Sequence, residues 1–252
     1  IFESGAAEGG GIFVNCTTAT VRGCRIFGNR AVLGGGVFLN DNTHSELHSN
    51  TIRDNQAEWG GGVMLAECWD TPAVTLSANL ITSNTASFGG GLASWQSRLI
   101  VTNNVVADNR CGVEAGAMYL SDSVVACMQM TFARNSGGDG SGIYASWTDI
   151  ASTNTIITSH TVGLWTDDAN ACAFLEGTLW GSGEWANGTD YAGPGTVSPG
   201  AVSLHGQPAF ADPDSHDYHI TDISDAVDAG VDSGVADDMD GDRRPYPALH
   251  DI

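Results

Sequence analysis

The sequence predicts an all-β solenoid, a coil of short parallel strands with one turn of chain per repeat. Three observations predict it. Glycine clusters recur along the chain: their third members are Gly11, Gly36, Gly62 and Gly91, with degenerate copies ending at Ala117 and Gly142, at steps of 25, 26, 29, 26 and 25. A second landmark keeps the same beat, at Asn29, Asn55, Asn84, Asn109, Asn135 and then His160. Apolar residues hold constant offsets from both landmarks, with no helical periodicity.

Each repeat divides into three short segments. Ile12, Val37, Val63, Leu92, Met118 and Ile143 follow the glycine clusters. Val21, Leu47, Leu76, Val101, Cys127 and Ser152 lie eight residues before the second landmark, and Ile26, Ile52, Ile81, Val106, Phe132 and Ile157 lie three before it. β-Branched residues and alternation make these segments strands, separated by Gly and Asn turns. A unit of about 25 residues cannot bury its apolar face alone, so the units stack, rising roughly 4.8 Å per rung. The landmark asparagines then lie one above another. Asn tolerates the left-handed conformation, and each amide can bond to the next one along the ladder.

The pattern resembles right-handed parallel β-helix proteins. More narrowly, it resembles bacterial outer-membrane repeat proteins, in which a GG-apolar turn alternates with F-x-x-N. Phe132-Ala133-Arg134-Asn135 matches that motif, and Ile26–Asn29, Ile52–Asn55 and Ile81–Asn84 match with Ile for Phe. The resemblance covers about residues 9–163. It implies a secreted or surface-displayed bacterial protein, in a family that holds both adhesins and polysaccharide-degrading enzymes.

Two regions are expected: β-helix repeats over 1–163, and closing rungs with an acidic C-terminal segment over 164–252. Residues 212–251 carry 12 Asp and only Arg243 and Arg244 as basic residues. Asp225-Ala226-Val227-Asp228-Ala229-Gly230 and Asp240-Gly241-Asp242-Arg243-Arg244-Pro245 resemble the end of "choice-of-anchor" bacterial proteins, although Ser224-Asp225 stands where Ser-Pro is usual. That resemblance implies capping and surface tethering, and a trimmed fragment of a longer chain.

The net charge of -21 would repel phosphate backbones, so nucleic acid is excluded as a partner. No apolar run reaches transmembrane length. The 9 basic residues are all Arg, which excludes lysine-based chemistry. The six cysteines lack a CxxC pair, so no structural zinc is expected, and no cofactor is required. The acidic surface suits a saline or calcium-rich exterior.

The candidate binding zone is aromatic. Trp59 and Phe88 precede successive glycine clusters, and Trp95 lies in an outward column, with Glu58 and Glu114 available for hydroxyls. Flat rings at rung spacing suit stacking on sugars, so the leading expectation is a monomeric module that binds a polysaccharide or cell-surface glycan without catalysis. The alternative is a polysaccharide-degrading enzyme, a hydrolase before a lyase. Its weak catalytic candidates are Asp54 and Asp108, two rungs apart in one column, near the carboxylate separation of inverting glycosidases. A structural spacer is the third class. Asp238, Asp240 and Asp242 alternate around Gly241 as candidate calcium ligands. The twelfth position of that loop is Leu249 rather than Glu, which excludes an EF-hand. The longer step before Gly91 predicts an insertion near Cys68–Pro72.

Overall fold

The computed structural model describes residues 1–41, 44–244 and 250–252. Pro245 of the C-terminal motif and Leu249 lie outside them. The chain winds into a parallel solenoid. One eight-stranded sheet stacks Ile12–Asn15, Val37–Asn40, Val63–Ala66, Leu92–Trp95, Met118–Ser121, Ser141–Ser146, Val162–Thr166 and Thr189–Ala192 in rung order. A 13-stranded sheet forms the rest of the wall. Its early rungs have separate strands, such as Arg98–Thr102 and Val105–Ala107, which later fuse into continuous strands such as Val124–Ala133 and Asp149–Thr158. A third sheet joins Thr85–Phe88, Arg110–Glu114 and Ser136–Gly137.

Register follows the repeat. Ile12 pairs with Val37, Val37 with Val63, Val63 with Leu92, and Leu92 with Met118. The columns three and eight residues before the second landmark face inward from their second rung onward, and Ile26, Ile52, Ile81, Val106, Phe132 and Ile157 are all buried. Burying each large aliphatic side chain contributes about 1.5–3 kcal/mol.

Three left-handed corners and the glycine turn bend each rung. At the landmark corner the left-handed residues are Asp54, Ser83, Asp108, Arg134 and Ser159, one before each landmark residue, and not the asparagines themselves. This corrects the sequence expectation. The left-handed corner residue turns the chain, which leaves the next side chain pointing inward beneath it. There Asn29 Nδ2 donates to Asn55 Oδ1 at 2.9 Å, and the pattern repeats from Asn55 to Asn84, Asn84 to Asn109 and Asn109 to Asn135, each at 3.0 Å. His160 and Asn187 extend the column. A second ladder of Asn50, Asn79 and Asn104 occupies another corner, and a hydroxyl ladder of Ser97, Ser123 and Thr148 the third. The sequence reading missed both, although Asn50, Asn79 and Asn104 each lie five residues before a landmark asparagine.

The glycine turn is a close-packing site. A Cβ on Gly36 would stand 2.6 Å from the Gly62 carbonyl oxygen and 2.9 Å from Ile52 Cγ2. Gly34 and Gly60 also hold positive φ, a conformation that Ala115 keeps in the degenerate copy.

The coil continues past Gly163, where Val162–Thr166, Cys172–Gly181 and the later strands supply the closing rungs. The acidic segment then packs back along the flank as a strap. It reaches Asn103, which donates to the Asp237 carbonyl, and Asn154, which is bonded to Val231. The reason lies in one outward column. It reads Arg25 and Thr51 on early rungs, then Leu80, Val105, Thr131, Ile156 and Leu179. Phe210, Tyr218, Ala226 and Ile252 cover that apolar stripe. All six cysteines are free thiols, with Cys111 and Cys127 buried.

Candidate glycan-binding groove

In register across the eight-stranded sheet, Phe13, Phe38, Met64, Ala93, Tyr119 and Tyr144 form one column on its outer face. Two residues on, a parallel column holds Asn15, Asn40, Ala66, Trp95, Ser121 and Ser146. Beside them runs a ladder of Glu8, Leu33, Trp59, Phe88 and Glu114. The side-chain-free glycine turn lets the chain reverse tightly between ladder and sheet. Leu33 and Trp59 therefore pack against the outer sheet face and, with Tyr119 of the sheet itself, cover Phe38, Met64 and Ala93.

A groove of about 470 Å³ results. Its apolar surface comes from Leu33, Phe38, Trp59, Met64, Ala66, Ala93, Trp95 and Tyr119, and its polar groups from Glu8, Asn40, Glu67, Ser94 and Ser121. Trp59 stacks on Phe88 with centroids 4.1 Å apart and meets Tyr119 edge-on at 5.5 Å. Tyr119 stacks on Tyr144 at 5.2 Å. The rings brace one another and hold fixed faces. Trp95 is 44% exposed, so its ring is open to a ligand.

Of the residues expected from sequence, Trp59 and Trp95 line the groove. Phe88 supports Trp59 from behind. Glu58 points away, into a shallow depression with Arg30, Gln56 and Ser87. Glu114 sits beyond the groove, next to Phe88 and Tyr119 in space. Burial raises its pKa, and the charges of Asp139 and Asp167 raise it further. Burial likewise raises Tyr119 and Tyr144. Tyr119, Phe38, Met64, Glu8 and Glu67 were missed. Strand alternation from Trp95 was the signal that placed Tyr119 on the same face.

Residues 1–106 match the family model described as right handed beta helix region. The fold is a right-handed parallel β-helix. The matched stretch contains Trp59, Phe88 and Trp95. No curated protein and no solved structure matches the chain.

The remaining candidates occupy the flank of the β-helix. Asp54 pairs with its neighbour Arg53. Asp108 anchors the strap: Arg134 donates from Nε to Oδ1 at 2.9 Å, Tyr218 donates to Oδ2 at 2.7 Å, and His216 Nδ1 stands 3.0 Å from Oδ2. Arg134 also reaches Asp214 at 2.7 Å. These contacts give Asp108 a structural role. Asp108→Ala is expected to weaken strap docking by about 2 kcal/mol, because it leaves Arg134 without its main partner. Hydrogen exchange should accelerate over residues 210–220 while the eight-stranded sheet stays protected; unchanged protection of the strap counts against this role.

Asp238 Oδ1 accepts the backbone N–H groups of Asp240 and Asp242, each at 2.9 Å, and Asp240 Oδ2 lies 2.7 Å from His219 Nε2. His219 also contacts Asp217, and the two carboxylates raise its pKa. Among the described residues no three His, Cys, Asp or Glu side chains stand together as a metal-ligand set. A calcium ion at this turn would have to displace these contacts.

Proposed function

We propose that this β-helix is a glycan-binding module displayed outside a bacterial cell, acting as an adhesin or polysaccharide anchor without chemistry of its own. The groove carries the reading: the open Trp95 ring beside the braced wall of Trp59 and Tyr119, edged by carboxylate, amide and hydroxyl groups, suits a sugar chain lying along the coil. The resemblance to outer-membrane repeats and to anchor-type C-terminal motifs favours an exported, surface-held protein.

Trp95→Ala tests the reading. The ring is largely outside the core, so the fold should survive, while affinity for a bound oligosaccharide should fall roughly thirtyfold. Isothermal titration of glycans selected from an array, with and without calcium, measures this. Equal affinity of variant and wild type would remove the groove as the site. Release of new reducing ends in the same samples would favour the second reading, a polysaccharide hydrolase. Glu114 favours that reading, because a carboxyl held above its usual range suits a general acid.

A further inference from the structure

The groove combines electron-rich ring faces with carboxylates that have no cation of their own. Glu8 and Glu67 both line it. Among the described residues neither makes an ion pair. Glu67 is tied to the rung of Trp95, since its backbone N–H donates to the Trp95 carbonyl at 3.0 Å. No Arg or His lines the groove among the described residues. At the Tyr119 end, Glu114 feels the charges of Asp139 and Asp167.

An anionic glycan entering here would meet only repulsion, without a basic group to hold it. A neutral glycan would gain stacking but leave the carboxylates unpaired. A protonated amine gains twice, from the carboxylate and from the negative face of an indole ring. We infer that the groove selects an amine-bearing glycan, a polymer of amino sugars that are not N-acylated, over its acylated and uronic-acid counterparts. This inference rests on the glycan-binding reading above.

The test is titration with a glucosamine hexasaccharide, its fully N-acetylated counterpart and an oligogalacturonate, at a pH where the amine is protonated. The free-amine oligomer should bind about tenfold tighter than the acetylated one, and the galacturonate should not bind. Glu8→Gln with Glu67→Gln should abolish the preference, so that the free-amine and acetylated oligomers bind the variant equally. Because the chain is acidic overall, a control carries Glu46→Gln with Glu184→Gln, which removes equal charge from exposed sites elsewhere. The control should keep the preference.

Equal binding of the two hexasaccharides overturns the amine selection and leaves the groove as a glycan site. A preference lost equally in the control overturns it as well, because the attraction is then that of the whole surface. Absence of binding to all three oligomers, with none bound on an array, overturns both the inference and the reading beneath it.

Discussion

Replacing Asn84 with Ala should lower the unfolding free energy by roughly 4 kcal/mol, a large share of the stability of a single domain. The side chain is fully buried and uses its whole hydrogen-bonding capacity. Its Oδ1 accepts from the Asn55 backbone N–H and from Asn55 Nδ2, both at 3.0 Å. Its Nδ2 donates to the Ile52 carbonyl at 2.9 Å and to Asn109 Oδ1 at 3.0 Å. Alanine leaves the Asn55 N–H without its acceptor in a dry interior, and the Ile52 carbonyl and Asn109 Oδ1 each lose a donor. Each orphaned group costs about 1–3 kcal/mol. Asp at the same position keeps the acceptor and loses the donor, and it places a charge in the core, so it should be at least as damaging. Because rungs contact only their neighbours, a broken middle rung should also reduce cooperativity and split the transition. Urea unfolding followed by far-ultraviolet circular dichroism reads both effects. A loss below about 1 kcal/mol would mean that the ladder is satisfied by other groups.

The second large effect is acid sensitivity at His160. This residue takes the asparagine position on its rung, and Asn135 Nδ2 lies 3.2 Å from its Nε2. Since Asn135 Nδ2 is a donor, Nε2 must be the acceptor and remain unprotonated. His160 Nδ1 is buried without a partner, and burial lowers the pKa from 6.5 to about 4. The sign follows. The folded pKa is depressed, so the unfolded chain binds a proton first as pH falls. Stability is therefore full above pH 6.5 and is lost progressively down to about pH 4, by about 3 kcal/mol. His160→Asn restores a side chain that does not titrate and can receive the Asn135 amide. The difference in stability between variant and wild type should grow in favour of the variant from pH 7 to pH 4. Parallel stability curves over that range would refute the assignment.

What was legible in the sequence follows from the repeat. Contacts that recur every rung leave recurring residues, so the strands, the inward columns and the landmark ladder were all readable. The three extra residues before Gly91 fall between Ala66 and Thr75, as the spacing predicted, since Asn40 pairs with Ala66 and Glu46 with Thr75. The second asparagine ladder was equally periodic but shorter, and the landmark chosen first hid it. Trp59 and Phe88 were paired correctly because both sit at one offset from their glycines.

The groove and the strap were different. Glu58 and Glu114 share the acidic character of Glu8 and Glu67, and the repeat offset alone does not say which side of the ladder a carboxylate takes. That depends on how tightly the glycine turn folds the ladder against the outer sheet face. The role of Asp108 depended on Tyr218, His216 and Arg134, partners separated from it by 110, 108 and 26 residues. By itself the sequence determined the coil, because periodic stacking writes the same residue at the same offset on every rung. Only the tertiary structure decided where the strap docks and which side chains share the groove, because those contacts are made once, between segments with no common period.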